Sequence, residues 1–458
     1  MRERKLQRGE IKEEKMYSKL FRRIIFPLIE ISEGTKIQKY LKLLEKTQWW
    51  KPEDIKKMQD RKLRALIKHA YEHVPYYHRL FRELNLHPDD IKTREDLRKL
   101  PFLTKDIIRK NFKDMKARNI KGSQSLEVHS SGTTGEPLKF YISKEVYSYS
   151  WAQTLRCWSW AGYKLGEPYV KVDMEERKKS LKRIQDCLMR CLHIGASTIN
   201  ENSAEEHLKR IKRFNPKIIR SYASPAFLLA RYAREFDIKI QPNAVMTTGE
   251  KLFPHYRETI EEQFDCEVFD CYGGEATPLA FECEMHDKYH LCDETAIVEI
   301  LRGNEQVSPG EIGEIVFTNL DNYVMPFIRY KVGDVGIPSD EMCECGRGLS
   351  CMESIEGRVG DLIVTPNGNF LLPNFFTNLF KDIEGVNKFR ILQENPHRID
   401  IKLVKNGKFT KEDADYILKK IKGMAGEEVE VNIEFVDSIP PARSGKERFV
   451  ISKVNIWK

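Results

Sequence analysis

Two stretches of this chain hold residue types that could do chemistry. The first, VHSSGTTGEPLKFYIS from Val128 to Ser143, sets a Gly/Ser/Thr-rich loop between two runs with strand character. Backbone N–H groups of such a loop can converge on an anion, and small residues let a phosphate approach. The hydroxyls of Ser130, Ser131, Thr133 and Thr134 add donors. A P-loop needs a Lys-Ser/Thr pair opening a helix. Here Glu136 and Pro137 stand in that place, and LKFYIS alternates like a strand. Taken by itself, the loop fits phosphate binding and a plain Gly-Thr hairpin turn equally well. The second stretch is cysteine-dense: Cys283, His286 and His290 in FECEMHDKYHLC, then Cys343 and Cys345 in MCECGRG, with Cys351 close behind. Zinc takes four N/S ligands, and two cysteines flanking one residue can supply a pair, although this spacing is tighter than the usual zinc knuckle. Reduced cysteines lying in strands would give the same text.

Residues 1 to about 120 have a helical pattern. In PEDIKKMQDRKLRALIKHAYEHV, Ile55, Met58, Leu63, Leu66, Ile67 and Ala70 recur near helical spacing, and Pro75 stops the run. A new helix is expected near Thr104, whose hydroxyl suits an N-cap. From Leu126 short strands alternate with helical segments: PKIIRSYAS then PAFLLARYAREF, followed by AVMTTGE, CEVFDCYGGE and ETAIVEIL. This alternation predicts an α/β core. GEIGEIVFTNL and IRYKVGDVG look antiparallel, as in a small barrel or sheet. A break falls near IEGRVGDLIV, beyond which KFRILQE, RIDIKLV, a helix over about Lys411–Met424 and EVEVNIEFV form a compact β/α set. The expected division is therefore 1–120 helical, 121–359 α/β core and barrel, and 360–458 a small α+β lid.

The 458-residue chain carries a net charge of +8, spread along its length, which suits an anionic small-molecule ligand without pointing to nucleic acid. A basic nucleic-acid binder would need a clustered basic face with interleaved aromatics, and the text shows neither. No apolar run approaches a membrane span. IIFPLIEI (Ile24–Ile31) is short, contains Pro27 and has no small-residue cleavage pattern behind it, so an export signal is not supported. A basic amphipathic helix over residues 15–31 would either pack on the body or touch a membrane or partner. The ten cysteines do not form a small secreted framework, and a reducing cytoplasm is expected.

SSGTTGEPLKFY, TTGE, YGGE, RYKVGD, EGRVGD and PARSGKE follow one another in that order. This series resembles the adenylate-forming superfamily of acyl-CoA synthetases and adenylation domains. QWW…KLRALIKHAYEHVPYYHRLF and DLRKLPFLTK resemble its phenylacetate–CoA ligase-like branch, which includes capsule-biosynthesis relatives and synthetases that adenylylate a deazaflavin coenzyme. The resemblance runs from about Thr47 to the C-terminus. It implies a large N-terminal adenylate-forming domain, with mixed sheets and a small barrel, and a small C-terminal α+β lid. The implied reaction joins a small-molecule carboxylic acid to AMP, using ATP and Mg²⁺ and releasing pyrophosphate. Transfer to coenzyme A is the expected second step. Two other readings are a nucleotidyltransferase that leaves AMP on a coenzyme or carbohydrate-pathway substrate, and an inactive adenylate-binding scaffold in polysaccharide biosynthesis.

The same resemblance implies roles by position. Ser130, Ser131, Gly132, Thr133, Thr134 and Gly135 would enclose the departing phosphates. Gly249 and Glu250 in TTGE would line the nucleotide and acyl pockets, although a plain turn also accounts for them. Tyr272 with Gly273 would pack on adenine, and Glu275 would help hold Mg²⁺, a hard ion that prefers oxygen. The family usually has two residues between the Tyr-Gly pair and the glutamate; here there is one, Gly274. Asp334 would accept hydrogen bonds from both ribose hydroxyls, and Arg358 would contact the nucleotide. The family's hinge acid is replaced by Gly360, which still permits a large backbone rotation, and Asp361 keeps the second acid. Lys446, a mobile point charge, would bridge the carboxylate and the α-phosphate. For zinc, the resemblance implies a structural site of Cys283, His290, Cys343 and Cys345, with His286 or Cys351 as substitutes.

Overall fold

The computed structural model describes residues 16–130, 137–176, 180–381, 383–440 and 448–454. Ser131, Gly132, Thr133, Thr134, Gly135 and Lys446 lie outside the described residues. The fold is mixed α/β, with a large N-terminal domain and a small C-terminal α+β domain.

The described residues up to Lys110 supply helices. Pro52–His73 starts with Pro at its first turn, has Glu53 and Asp54 near its N-terminus and His73 at its C-terminus, all favourable to the helix dipole. Ile55, Met58, Leu63, Leu66, Ile67 and Ala70 are all buried on one stripe. Val74 is extended ahead of Pro75, which opens the next helix, Pro75–Glu83. Thr104 caps Lys105–Lys110, its hydroxyl accepting from the Ile107 N–H. The expected helix over residues 15–31 is described from Met16 and is interrupted by a π-turn, Phe21–Ile25.

These helices cover one 12-stranded sheet. Its parallel half runs Cys191–Gly195, Tyr169–Asp173, Ile218–Tyr222, Ala244–Thr248 and Glu267–Gly274 in spatial order. Buried runs such as Ala244–Thr247 suit strands covered on one face by the helices Ala223–Glu235 and Pro254–Phe264 and on the other by Lys144–Trp160. Past Glu267–Gly274 the ladder turns antiparallel, through Thr277–Glu282, Tyr289–Leu291, Cys351–Arg358, Tyr330–Ser339, Gly313–Asn319, Ala296–Arg302 and Glu305–Gln306. GEIGEIVFTNL and IRYKVGDVG do pair antiparallel, and the barrel expected there takes the form of this half of the continuous sheet. A separate hairpin pairs Ser125–His129 with Lys139–Ser143, the strands that flank the Gly/Ser/Thr stretch in sequence.

The large sheet's last strand ends at Arg358, and a single 3₁₀ turn, Val359–Asp361, follows. Beyond it, a four-stranded sheet is ordered Glu430–Phe435, Arg398–Lys405, Val386–Asn395, Val450–Ser452. The helix Lys411–Ala425 packs on it, and Ile391, Ile399, Ile401, Leu403, Ile417 and Ile421 form its core.

The helical layer is locked to the antiparallel half by a buried ion pair. Arg156, on the helix Lys144–Trp160, donates to Glu294 at 2.5 Å, and both side chains are almost fully buried. The Thr47 hydroxyl donates to the same oxygen at 2.8 Å. Removing one member of such a pair strands the other charge in a low-dielectric site. Glu294→Ala is expected to cost about 3–5 kcal/mol of stability, read as a lower denaturant midpoint and Tm.

Candidate functional site

In open parallel sheets a crevice forms outside the carboxyl ends of the strands, where successive connections leave in opposite directions. Here the chain goes from Tyr169–Asp173 to Cys191–Gly195 on one side, then returns to Ile218–Tyr222 on the other. The cleft at that end has a volume of about 570 Å³, and its walls include Tyr222, Thr248, Gly249, Glu250 and the Tyr272–Glu275 turn. Opposite them stand Asp334, Gly357 and Arg358 from the antiparallel half, and Arg448 and Phe449 from the C-terminal domain.

The polar side chains of the cleft hold one another in place. Asp334 and Arg358 are paired across two antiparallel strands, and the Arg358 Nε lies 3.1 Å from the Asp334 carboxylate. The Tyr272 hydroxyl donates to the other Asp334 oxygen at 2.9 Å. Burial, with the Asp334 charge beside it, pushes that phenol far above its ordinary range, so it stays a donor. Glu275 accepts from the Tyr330 hydroxyl at 2.8 Å and has the Lys105 ammonium 3.6 Å away. Glu250 accepts from the Ser224 N–H at 2.9 Å and its hydroxyl at 2.7 Å. Gly249 has φ +71°, and a Cβ there would come within 2.8 Å of the Tyr222 ring, so the position requires glycine. Ser130 sits at the end of the hairpin, its hydroxyl accepting from the Leu138 N–H at 2.9 Å.

The eight described residues that the motifs singled out for nucleotide binding or catalysis, Ser130, Gly249, Glu250, Tyr272, Gly273, Glu275, Asp334 and Arg358, thus line one cleft. Lys105, Arg220, Lys251 and Arg448 line it too and were not singled out from the sequence. Lys105 stands in LPFLTKD and Arg448 two places after Lys446, so both lay beside recognised text; Arg220, inside a strand, carried no signal. Arg448 also pairs with Asp361 beside Gly360, its Nε 3.1 Å from the carboxylate. Burial raises the Asp361 pKa, with the Arg448 guanidinium opposing it.

A second group forms at the far end of the antiparallel strands. The donor atoms of Cys283, His290, Cys343 and Cys345 all lie within 4.8 Å of one another. Cys283 and Cys343 sulfurs are 3.6 Å apart, and Cys345 Sγ lies 3.3 Å from His290 Nε2. Two sulfurs sharing a tetrahedral zinc at the usual bond length would be about 3.8 Å apart. This buried Cys₃His group could hold zinc. His286 points away, toward Glu282 and Glu267, while Cys351 lies beside the other ring nitrogen of His290 at 3.7 Å. Burial, then the Arg347 and Arg156 charges, holds His290 down at about 4, so its imidazole is neutral and has a lone pair to give.

Comparison with known proteins agrees with this architecture. A family model described as the CapK C-terminal domain matches residues 363–453. Phenylacetate–coenzyme A ligase of Escherichia coli is 26% identical over 331 residues, covering 68% of this chain and 73% of the ligase. Protein CapK of Staphylococcus aureus is 24% identical over 413 residues, covering 88% and 90%. The structure of 2-hydroxyisobutyryl-CoA ligase in its postadenylation state, in complex with 2-HIB-AMP, superposes with a TM-score of 0.72 at 18% identity, over 90% of this chain and 92% of that one. These matches and the ordered motifs together support membership of the adenylate-forming ligase superfamily, in its phenylacetate–CoA ligase/CapK-like branch.

Elemental analysis of protein purified without chelator is expected to find about one zinc per chain. Cys343→Ser combined with Cys345→Ser should remove it and lower Tm. A metal-free wild type with unchanged Tm would leave the group as four reduced side chains.

Proposed function

We propose that this chain is an AMP-forming ligase that activates a small carboxylic acid with ATP and then passes the acyl group to coenzyme A. One observation carries the reading: residues from five separate motifs, spread over more than 200 positions, line a single cleft at the carboxyl end of the parallel strands. Both reactants are anions, so positioning and charge neutralisation are what the protein must supply.

Asp334, already oriented by Tyr272 and Arg358, would accept the two ribose hydroxyls, and the Tyr272 ring would lie against the base. Glu275, fixed by Tyr330 beside Lys105, would offer its carboxylate to Mg²⁺ on the phosphates. The segment from Ser131 to Gly135 would enclose the pyrophosphate portion. Lys446 would bridge the attacking carboxylate and the α-phosphate. Support for this last role comes from Arg448 and Phe449, which follow closely in sequence and stand in the cleft wall. Between the first and second steps the C-terminal domain, taken as residues 360–458, would turn about Gly360.

The acyl group would enter a side pocket of about 170 Å³, which shares Thr248, Gly273 and Gly274 with the cleft and continues between Trp158, Met246 and Phe281. Its size favours an acid of few carbons, and Thr154, Thr247 and Thr277 in its wall favour one bearing hydroxyl or other polar groups.

ATP–pyrophosphate exchange across a panel of aromatic, fatty and hydroxylated acids tests the reading. Short polar acids should support exchange, and free AMP with an acyl thioester should accumulate when coenzyme A is present. A stable adenylylated product would point instead to the nucleotidyltransferase reading. Lys446→Ala should lower exchange by at least about 100-fold while leaving ATP affinity within a few-fold; near-normal exchange would refute the lysine's role.

A further inference from the structure

The helical segment from Met16 to Glu33 is apolar on two opposite sides. Its inner side is explained by packing. The Phe26 N–H donates to the Phe21 carbonyl, a five-residue step that defines the π-turn. That step brings Phe21 and Phe26 to the same side, both buried, with ring centroids 5.6 Å apart. The Phe21 ring rests on Gly166, where a Cβ would come within 2.9 Å of it.

The same turn organises the outer side. Residues four apart on an α-helix drift by about 40° per step. A π-turn rotates less per residue and takes back part of that drift. Leu20, Ile24 and Leu28 therefore stay in one row, extended by Met16 and Ile31, and the five are 46%, 52%, 60%, 68% and 77% exposed in the order named. Among the described residues, no packing accounts for so regular an apolar ridge in solvent.

The charges around the ridge are sorted by sign. Lys19 and Arg23 are exposed beside it. The two acids of the segment are turned to the protein: Glu30 accepts from the Gln38 N–H at 3.1 Å, and Glu33 from the Gln185 amide at 2.8 Å. Ahead of Met16 the sequence carries Arg2, Arg4, Lys5, Arg8, Lys12 and Lys15 against four glutamates. An apolar row flanked by cations, on a helix already anchored by its opposite face, is the form of a segment that lies in a membrane interface. A second copy of the chain fits less well. Two such faces would oppose cation to cation across a twofold axis, and one helical row falls well short of the roughly 20–30 residues a side of a stable interface.

We propose that residues 16–31 form a docking surface for an anionic lipid bilayer, with Met16, Leu20, Ile24, Leu28 and Ile31 entering the headgroup region and Lys19 and Arg23 facing the lipid phosphates. The test is co-sedimentation of the full chain with phosphatidylcholine vesicles, with and without phosphatidylglycerol. Binding is expected only with the anionic lipid, and added salt should weaken it. Combined Leu20→Ser, Ile24→Ser and Leu28→Ser should lower vesicle affinity at least about tenfold, with circular dichroism and pyrophosphate exchange unchanged. Lys19→Glu with Arg23→Glu should abolish the preference for anionic lipid. The proposal fails if the wild type leaves anionic vesicles unbound, or if the triple variant binds as well as wild type. It also fails if light scattering shows a dimer that the triple variant dissolves, which would assign the ridge to a second copy.

Discussion

The site depends on the strand Glu267–Gly274, the boundary between two kinds of sheet. On one edge it pairs in parallel with Ala244–Thr248; on the other it turns straight back into Thr277–Glu282. Gly274 faces Thr277 across the hairpin, which leaves only Glu275 and Ala276 in the turn. Two-residue turns need a left-handed conformation, and Ala276 supplies it with φ +56°. Gly274 has no room for a side chain, because a Cβ would lie within 2.9 Å of both Leu279 and Phe317. The consequence is that Glu275 projects from a hairpin tip of fixed geometry into the cleft formed by the parallel strands. The short spacing between the Tyr-Gly pair and this glutamate is thus built into a tight turn, with a register shift between Tyr272 and Gly273 absorbing the difference.

The C-terminal domain meets this frame through a narrow set of contacts. Phe449 stands edge-on to Phe253 of the large domain and stacks on Phe389 of its own, each at 5.3 Å between ring centroids. Lys381 pairs with Glu258 at 2.7 Å, both partly exposed. Such a contact, a few rings and screened charges, is weak enough to be exchanged for another. The partly buried Arg448–Asp361 pair lies beside Gly360 and stays within the segment that would have to turn. A rotation centred there could thus keep its strongest ion pair while giving up its weaker ones.

Much of the fold was legible because the code there is local. The six apolar positions of Pro52–His73, the Thr104 cap and the strand–helix pair from Ile218 to Glu235 follow from periodicity and capping. The cleft was legible only as separate motifs. That Asp334 faces Arg358, or that Tyr330 reaches Glu275, depends on strand register between distant segments, which spacing does not encode. The resemblance named His290 ahead of His286, but spacing alone does not show why: His290 lies within a strand opposite Phe281 and Cys351, whereas His286 occupies a turn with φ +54°. The π-turn was missed for a related reason. Phe21 and Phe26 are both needed inside, and a five-residue spacing meets that demand only if the helix widens locally.

The two polar centres are joined by the antiparallel strands between them. Thr277–Glu282 begins next to Glu275 and ends next to Cys283; Tyr330–Ser339 carries Asp334 midway along it and leads on toward Cys343. Cys351–Arg358 starts against His290 and finishes at the partner of Asp334. In a strand a slip of one residue turns every side chain to the opposite face. These pairings also contain irregularities, between Val335 and Gly336 and between Ile337 and Pro338, where a slip would meet least resistance. A zinc ion held by the four donors at the far end of these strands would therefore fix more than its own loop: it would also hold the register by which Arg358 meets Asp334.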